Sequence, residues 1–279
     1  MKFSGDKAWQ GALASVLGCR DVLFPVAGVF FLLPSIVTTY FFSELQAKIL
    51  ANMGNEAALD QLLQGRLGTL FAVGLVAFLF QMVGYGALMA LMTDRQRPTV
   101  SEAIGAGIRS LPTMIGAALL LLFAYFLAVL ALSMISGVVG IVVGAKLMAG
   151  LTALLVLVAM VYLVVKFSLL VPVVMIEGVL NPLAALKRSW QLAKGNSLRI
   201  FVFYLLLTLA YLVIMVVVTV VIMGLLPAAT KPGPLTLLFG GVVTGLIGAV
   251  AGVLFTAVLA AIHRQLAGAD TGNLGVTFG

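Results

Sequence analysis

The sequence is short of the residues that soluble enzymes use most. It holds one cysteine, Cys19, and one histidine, His263. A lone cysteine excludes an intramolecular disulfide and any multi-cysteine metal site. A lone histidine excludes paired-imidazole motifs such as HExxH. Charge is scarce as well: 9% of residues are Asp, Glu, Lys or Arg, against roughly a quarter in a soluble domain. No catalytic residue, metal or cofactor is expected, because no nucleophile–base pair or metal set can be assembled; an intramembrane enzyme is therefore disfavoured.

What is present is apolar. Hydrophobic residues make up 63% of the 279, and the mean hydropathy is +1.23. No soluble fold can hide so much apolar surface, so lipid must be the solvent. The expected fold is all-α, a single polytopic integral membrane domain over residues 1–279. The net charge of +7 does not point to nucleic acid. The basic residues fall in connections between apolar runs, where topology and anionic headgroups explain them.

Six apolar runs can be read, at about 22–42, 67–92, 113–135, 151–174, 200–226 and 235–261. Each can cross roughly 30 Å of hydrocarbon at about 1.5 Å per helical residue. Between the first two, Leu59, Leu62 and Leu63 suggest a short amphipathic helix. Residues 137–150 are rich in glycine and contain Lys146; a tight outer turn between fraying helices is expected there, in preference to a re-entrant element.

Three amphipathic segments accompany the spans. Residues 4–20 place Trp9, Ala12, Leu13, Val16 and Leu17 on one face, the pattern of an interfacial helix. The run Val16-Leu17-Gly18-Cys19 also resembles a bacterial lipoprotein cleavage signal. Trp9 and Gln10 interrupt its apolar core, however, and an uncleaved helix is the better reading. Thr99 and Glu102 form a capping box ahead of the stripe Ile104, Ile108 and Leu111, and Pro112 is expected to end that helix. The third segment is the most explicit: Asn181 as cap, Pro182 at the first position, Leu183, Leu186, Trp190 and Ala193 as apolar face, and Gly195 as stop.

Lysine and arginine orient the chain. One side would hold Lys2, Lys7, Arg20, Arg95, Arg97, Arg109, Lys187, Arg188, Lys194, Arg199 and Arg264; the other Lys48, Arg66, Lys146 and Lys231. By the positive-inside rule both termini face the cytoplasm, in the setting of a bacterial inner membrane. Hydropathy and charge also suggest a threefold pattern of surface helix plus two spans, in units of about 4–92, 99–174 and 181–262.

The run Pro172-Val173-Val174-Met175-Ile176-Glu177-Gly178, followed by Asn181-Pro182-Leu183-Ala184-Ala185-Leu186-Lys187-Arg188-Ser189-Trp190, resembles the membrane region of bacterial glycerophosphoryl diester phosphodiesterases and of related stand-alone six-span proteins. In that family the chemistry resides in a separate soluble barrel that uses histidines and carboxylates around a divalent metal. With a single histidine and no region long enough for a barrel, the resemblance here implies the membrane architecture and not the activity.

Candidate binding residues follow from charge. Lys166 lies well inside an apolar run, where a cation is costly, and Glu177 is eleven residues on. Glu177 is expected to bridge to Lys187, Arg188 or Arg199 and so fix the surface helix. Lys187, Arg188 and Lys194 suit anionic headgroups. Gly241, Gly245, Gly248 and Gly252 give the last span one smooth face for helix packing. Gln81 and Tyr85 in the second span, and Tyr204 and Tyr211 in the fifth, are expected to hydrogen-bond between helices. The functional expectation is a non-enzymatic protein that binds or organises lipid, or a partner, at the cytoplasmic leaflet. Membrane lipids are the expected partners, with a homo-oligomer or membrane partner possible and no nucleic acid. The alternative is a small transporter or lipid translocator with Lys166 in an internal polar cavity.

Overall fold

A computed structural model describes residues 2–93, 98–225 and 234–274. Arg95, Arg97 and Lys231, three of the cations used to orient the chain, lie outside them. All regular structure among the described residues is helical: α1 (Gly5–Ala27), a π-helical turn (Gly28–Leu32), α2 (Leu33–Ala51), α3 (Glu56–Gln64), α4 (Leu67–Leu91), α5 (Val100–Val143), α6 (Ala145–Phe167), α7 (Leu170–Ile176), α8 (Pro182–Ala193), α9 (Ser197–Leu225) and α10 (Pro234–Leu274). Six stretches are long and apolar enough to cross a membrane: Gly5–Ala51, Leu67–Leu91, Val100–Val143, Ala145–Ile176, Ser197–Val221 and Leu238–Gly268. Each overlaps one of the six apolar runs.

The amphipathic segments are built differently from one another. Residues 4–20 do not form a separate helix. They run into the first span through a kink at Cys19 (φ −127°, ψ 15°), and Ala8, Ala12 and Val16 are buried mainly against α10. Pro112 does not end the second segment either; α5 continues through it to Val143. A proline removes one ladder bond, a cost tolerated in long membrane helices whose neighbours satisfy the freed groups. Here Thr113, the next residue, donates from Oγ1 to the Leu180 carbonyl at 2.7 Å, tying the proline region to the chain entering α8. Only α8 is a helix in its own right, released by Gly195 at φ +81°.

The stretch 137–150 is tighter than a loop. Gly144 alone, at φ +109°, separates α5 from α6, a conformation that L side chains rarely adopt. The short outer helix expected from Leu59, Leu62 and Leu63 is α3, capped by the Asn55 side chain on the Ala58 N–H.

The core centres on α10, which packs on α1, on the π turn and on α2. The π turn lies between Pro25 and Pro34, two residues with no N–H to give to the ladder, and the Leu33 N–H reaches five residues back to the Gly28 carbonyl. It sets two consecutive phenylalanines into the core. Phe30 lies over Gly84 of α4, where an added Cβ would sit 2.5 Å from the Phe30 Cβ. Phe31 lies over Gly252 of α10, where the corresponding distance to its ring is 3.1 Å. On α10, Gly245 and Gly241 also meet the first span, at Leu32 and Ile36, whereas a Cβ on Gly248 would meet nothing within 4 Å. Three of the four glycines of the stripe therefore sit at the helix crossing. By contrast, α5, α6 and α9 leave most of their apolar side chains at the surface, which lipid rather than water would contact.

Candidate functional site: a polar junction of α6, α7, α8 and α10

The helical ladder that begins at Ala145 ends at Phe167, because Ser168 and Leu169 form a turn before α7 starts. The turn lies inside the longer stretch Ala145–Ile176, which as a whole is long and apolar enough to cross a membrane and holds Lys166, as the apolar run at about 151–174 implies. Within that stretch Lys166 stands in the last turn of α6, where a cation complements the negative end of the helix dipole. Its carbonyl accepts a hydrogen bond from Ser189 Oγ of α8 at 3.0 Å, so the residue lies directly beneath the surface helix.

Lys166 is 5% exposed. Its ammonium lies 4.8 Å from the Trp190 ring centroid and 5.6 Å from that of Tyr162. Trp190 in turn stacks edge-on to Tyr162 at 5.6 Å and leans on Phe167 at 5.5 Å. Ring faces carry negative potential, so the clasp attracts the cation by about 0.5–2 kcal/mol.

Glu177 closes α7 and begins the link to α8, which turns at Gly178 with φ +70°. Both its carboxylate oxygens accept from Arg188 Nε, at 2.9 and 3.2 Å. Its Oε1 also lies 2.8 Å from His263 Nε2 on α10. That nitrogen therefore carries the proton, and His263 Nδ1 is buried without a hydrogen-bond partner. One carboxylate thus joins three elements distant in sequence. Of the three cations expected near Glu177, only Arg188 pairs with it. Lys187 points out from α8, and Arg199 is exposed in the first turn of α9.

The buried face of α8 is Ala185, Leu186, Ser189, Leu192 and Ala193. Leu183, expected on that face, is 65% exposed. Its place is taken by Arg188 turning inward and by the buried Ser189 hydroxyl. Lys187, Gln191 and Lys194 remain on the outer face, at four- and three-residue spacing along one stripe. Two cations of the basic helix therefore face outward, while Arg188 is committed to the junction.

His263 is a junction residue that no local sequence motif marks. Its signal was periodic: it lies eleven residues beyond Gly252, about three turns along the same packing face of α10. Tyr204 does not make the expected interhelical hydrogen bond. Its ring packs against Phe203 and Phe255, and its buried hydroxyl lies toward Ser168 without hydrogen-bond geometry. No group of three or more His, Cys, Asp or Glu that could hold a metal ion occurs among the described residues.

The architecture is that of a multi-pass α-helical membrane protein, with Lys166, Glu177, Arg188 and His263 gathered where α6, α7, α8 and α10 meet. No protein-family description matches the chain, and no curated protein or solved structure is significantly similar to it.

Proposed function

We propose that this chain is a non-enzymatic protein of the bacterial inner membrane that binds or organises anionic lipid at the cytoplasmic leaflet, with both termini cytoplasmic. The observation that carries the proposal is the mounting of α8. Glu177 grips Arg188, Ser189 grips the α6 terminus, and the stripe Lys187–Gln191–Lys194 is left facing outward. A basic helix held this firmly presents fixed charges to headgroups, each cation contributing about 1 kcal/mol near an anionic surface. The resemblance of residues 172–190 to phosphodiesterase membrane regions fits such a role, since those regions accompany enzymes of lipid-derived substrates. The covering of Lys166 by Trp190 and Tyr162 favours binding at the surface over passage through an internal polar cavity.

Native mass spectrometry of the full-length protein, extracted in mild detergent from a membrane of mixed lipids, tests the proposal. Retention of phosphatidylglycerol or cardiolipin over phosphatidylethanolamine is expected, with the preference reduced when Lys187 and Lys194 are both changed to glutamine. Equal retention of all headgroups by the unmodified protein would overturn it. The same spectra report subunit number and so test for a homo-oligomer.

A further inference from the structure

Lys166 is a buried cation without an anion. The rings of Trp190 and Tyr162 attract its ammonium but accept none of the hydrogen bonds that its three N–H groups can donate. Among the described residues that ammonium makes neither an ion pair nor a hydrogen bond. The buried polar atoms left without a partner are the Tyr204 hydroxyl and His263 Nδ1, so the Lys166 ammonium reaches the surface, where an acceptor from outside the protein can meet its donors. A second cation, Lys194, is the exposed C-cap residue of α8, the helix whose Ser189 and Trp190 meet Lys166. Both lysines stand at helix C-termini, whose partial charges of roughly −0.5 each offset about half of their combined charge. About one positive unit is left over.

The approach to this pair is apolar. Leu155, Val158 and Tyr162 are exposed on α6 at spacings of three and four residues, and Lys166 follows four residues later on the same face. The face therefore runs along the outside of α6 as a hydrocarbon-compatible rail that ends at a cation. A free anion would have no use for such a rail, whereas an acyl chain would lie along it with its headgroup at Lys166.

We infer that Lys166 and Lys194 form a seat for the phosphodiester of one anionic phospholipid, flanked by Trp190, with an acyl chain against Tyr162, Val158 and Leu155. This rests on the lipid-binding reading above and gives it a ligand class and a place. It also separates one specific seat from the general attraction of the outer stripe of α8.

The test is titration of the full-length protein in detergent with phosphatidylglycerol, phosphatidylcholine and deacylated glycerophosphoglycerol, read by native mass spectrometry. One phosphatidylglycerol should bind more tightly than phosphatidylcholine, and the deacylated headgroup should not be retained. Lys166→Met should weaken that binding by roughly fivefold or more, the equivalent of about 1 kcal/mol for one cation beside an anionic headgroup. Lys166→Arg should restore most of it, and Lys194→Gln should weaken it. Lys187→Gln, one cation removed from the stripe but not from the seat, should change it little. If Lys166→Met and Lys187→Gln weaken binding equally, the seat is wrong while the general reading survives. If the unmodified protein shows no preference for phosphatidylglycerol, both fall. Equal retention of the deacylated headgroup would show a free phosphodiester as the occupant and overturn the acyl-chain rail.

Discussion

At the scale of single residues, Glu177 answers donors from two elements. Arg188 arrives from α8 and His263 from α10, and His263 is only 3% exposed. Removing the acceptor leaves the buried His263 Nε2 donor unpaired and takes from Arg188 its carboxylate, at a cost of about 1–3 kcal/mol. Glu177→Ala should therefore lower the thermal-unfolding midpoint in detergent, and Glu177→Gln, which can still accept, should lower it less. A double-mutant cycle of Glu177→Ala with Arg188→Met should return a coupling energy on the order of 0.5–3 kcal/mol; additive losses would show that the pair is incidental. This ion pair was half legible in the sequence. Arg188 stands eleven positions from Glu177 and at a capped helix, so their meeting was foreseeable. His263 lies 86 residues away, and no local pattern announces a partner at that distance.

At the scale of elements, run length and caps were readable, but breaks and continuities were not. The caps at Asn181 and Thr99 act as their sequences imply, through bonds to the N–H groups of the first turn. Pro112 reverses the expected pattern, because the helix passes through it, and a turn at Ser168 interrupts the ladder within the fourth span. What decides such points is the neighbour. Thr113 is tied to Leu180, and Ser189 to the Lys166 carbonyl, and neither partner is local in sequence. The glycine stripe shows the same limit. A Cβ on Gly245 would fall 3.0 Å from the Leu32 Cα, a backbone atom that cannot step aside, whereas one on Gly248 would meet nothing. Gly245→Ala should destabilise the fold by about 1–3 kcal/mol. Gly248→Ala should be neutral or slightly stabilising, since alanine favours the helix by up to about 1 kcal/mol. Thermal unfolding of the two variants side by side checks the assignment, and equal effects would contradict it. Gly144→Ala should also cost about 1–3 kcal/mol, because φ +109° is strained for any residue with a side chain.

For the whole molecule, sidedness joins the fold to its proposed role. The junction of Glu177, Arg188 and His263, the clasp around Lys166 and the stripe of α8 cluster about one end of the α6 span, whereas Lys146 begins α6 at the other. A lipid-binding surface on the cytoplasmic leaflet requires that first end to face the cytoplasm. Cysteine accessibility decides this most directly, in a background where Cys19, the only native thiol, is changed to serine. A membrane-impermeant maleimide should label a cysteine placed by Lys146→Cys from outside the intact membrane. Lys187→Cys should be labelled only in inverted vesicles or after permeabilisation. Labelling of Lys187→Cys from outside the intact membrane, with Lys146→Cys protected, would contradict the account.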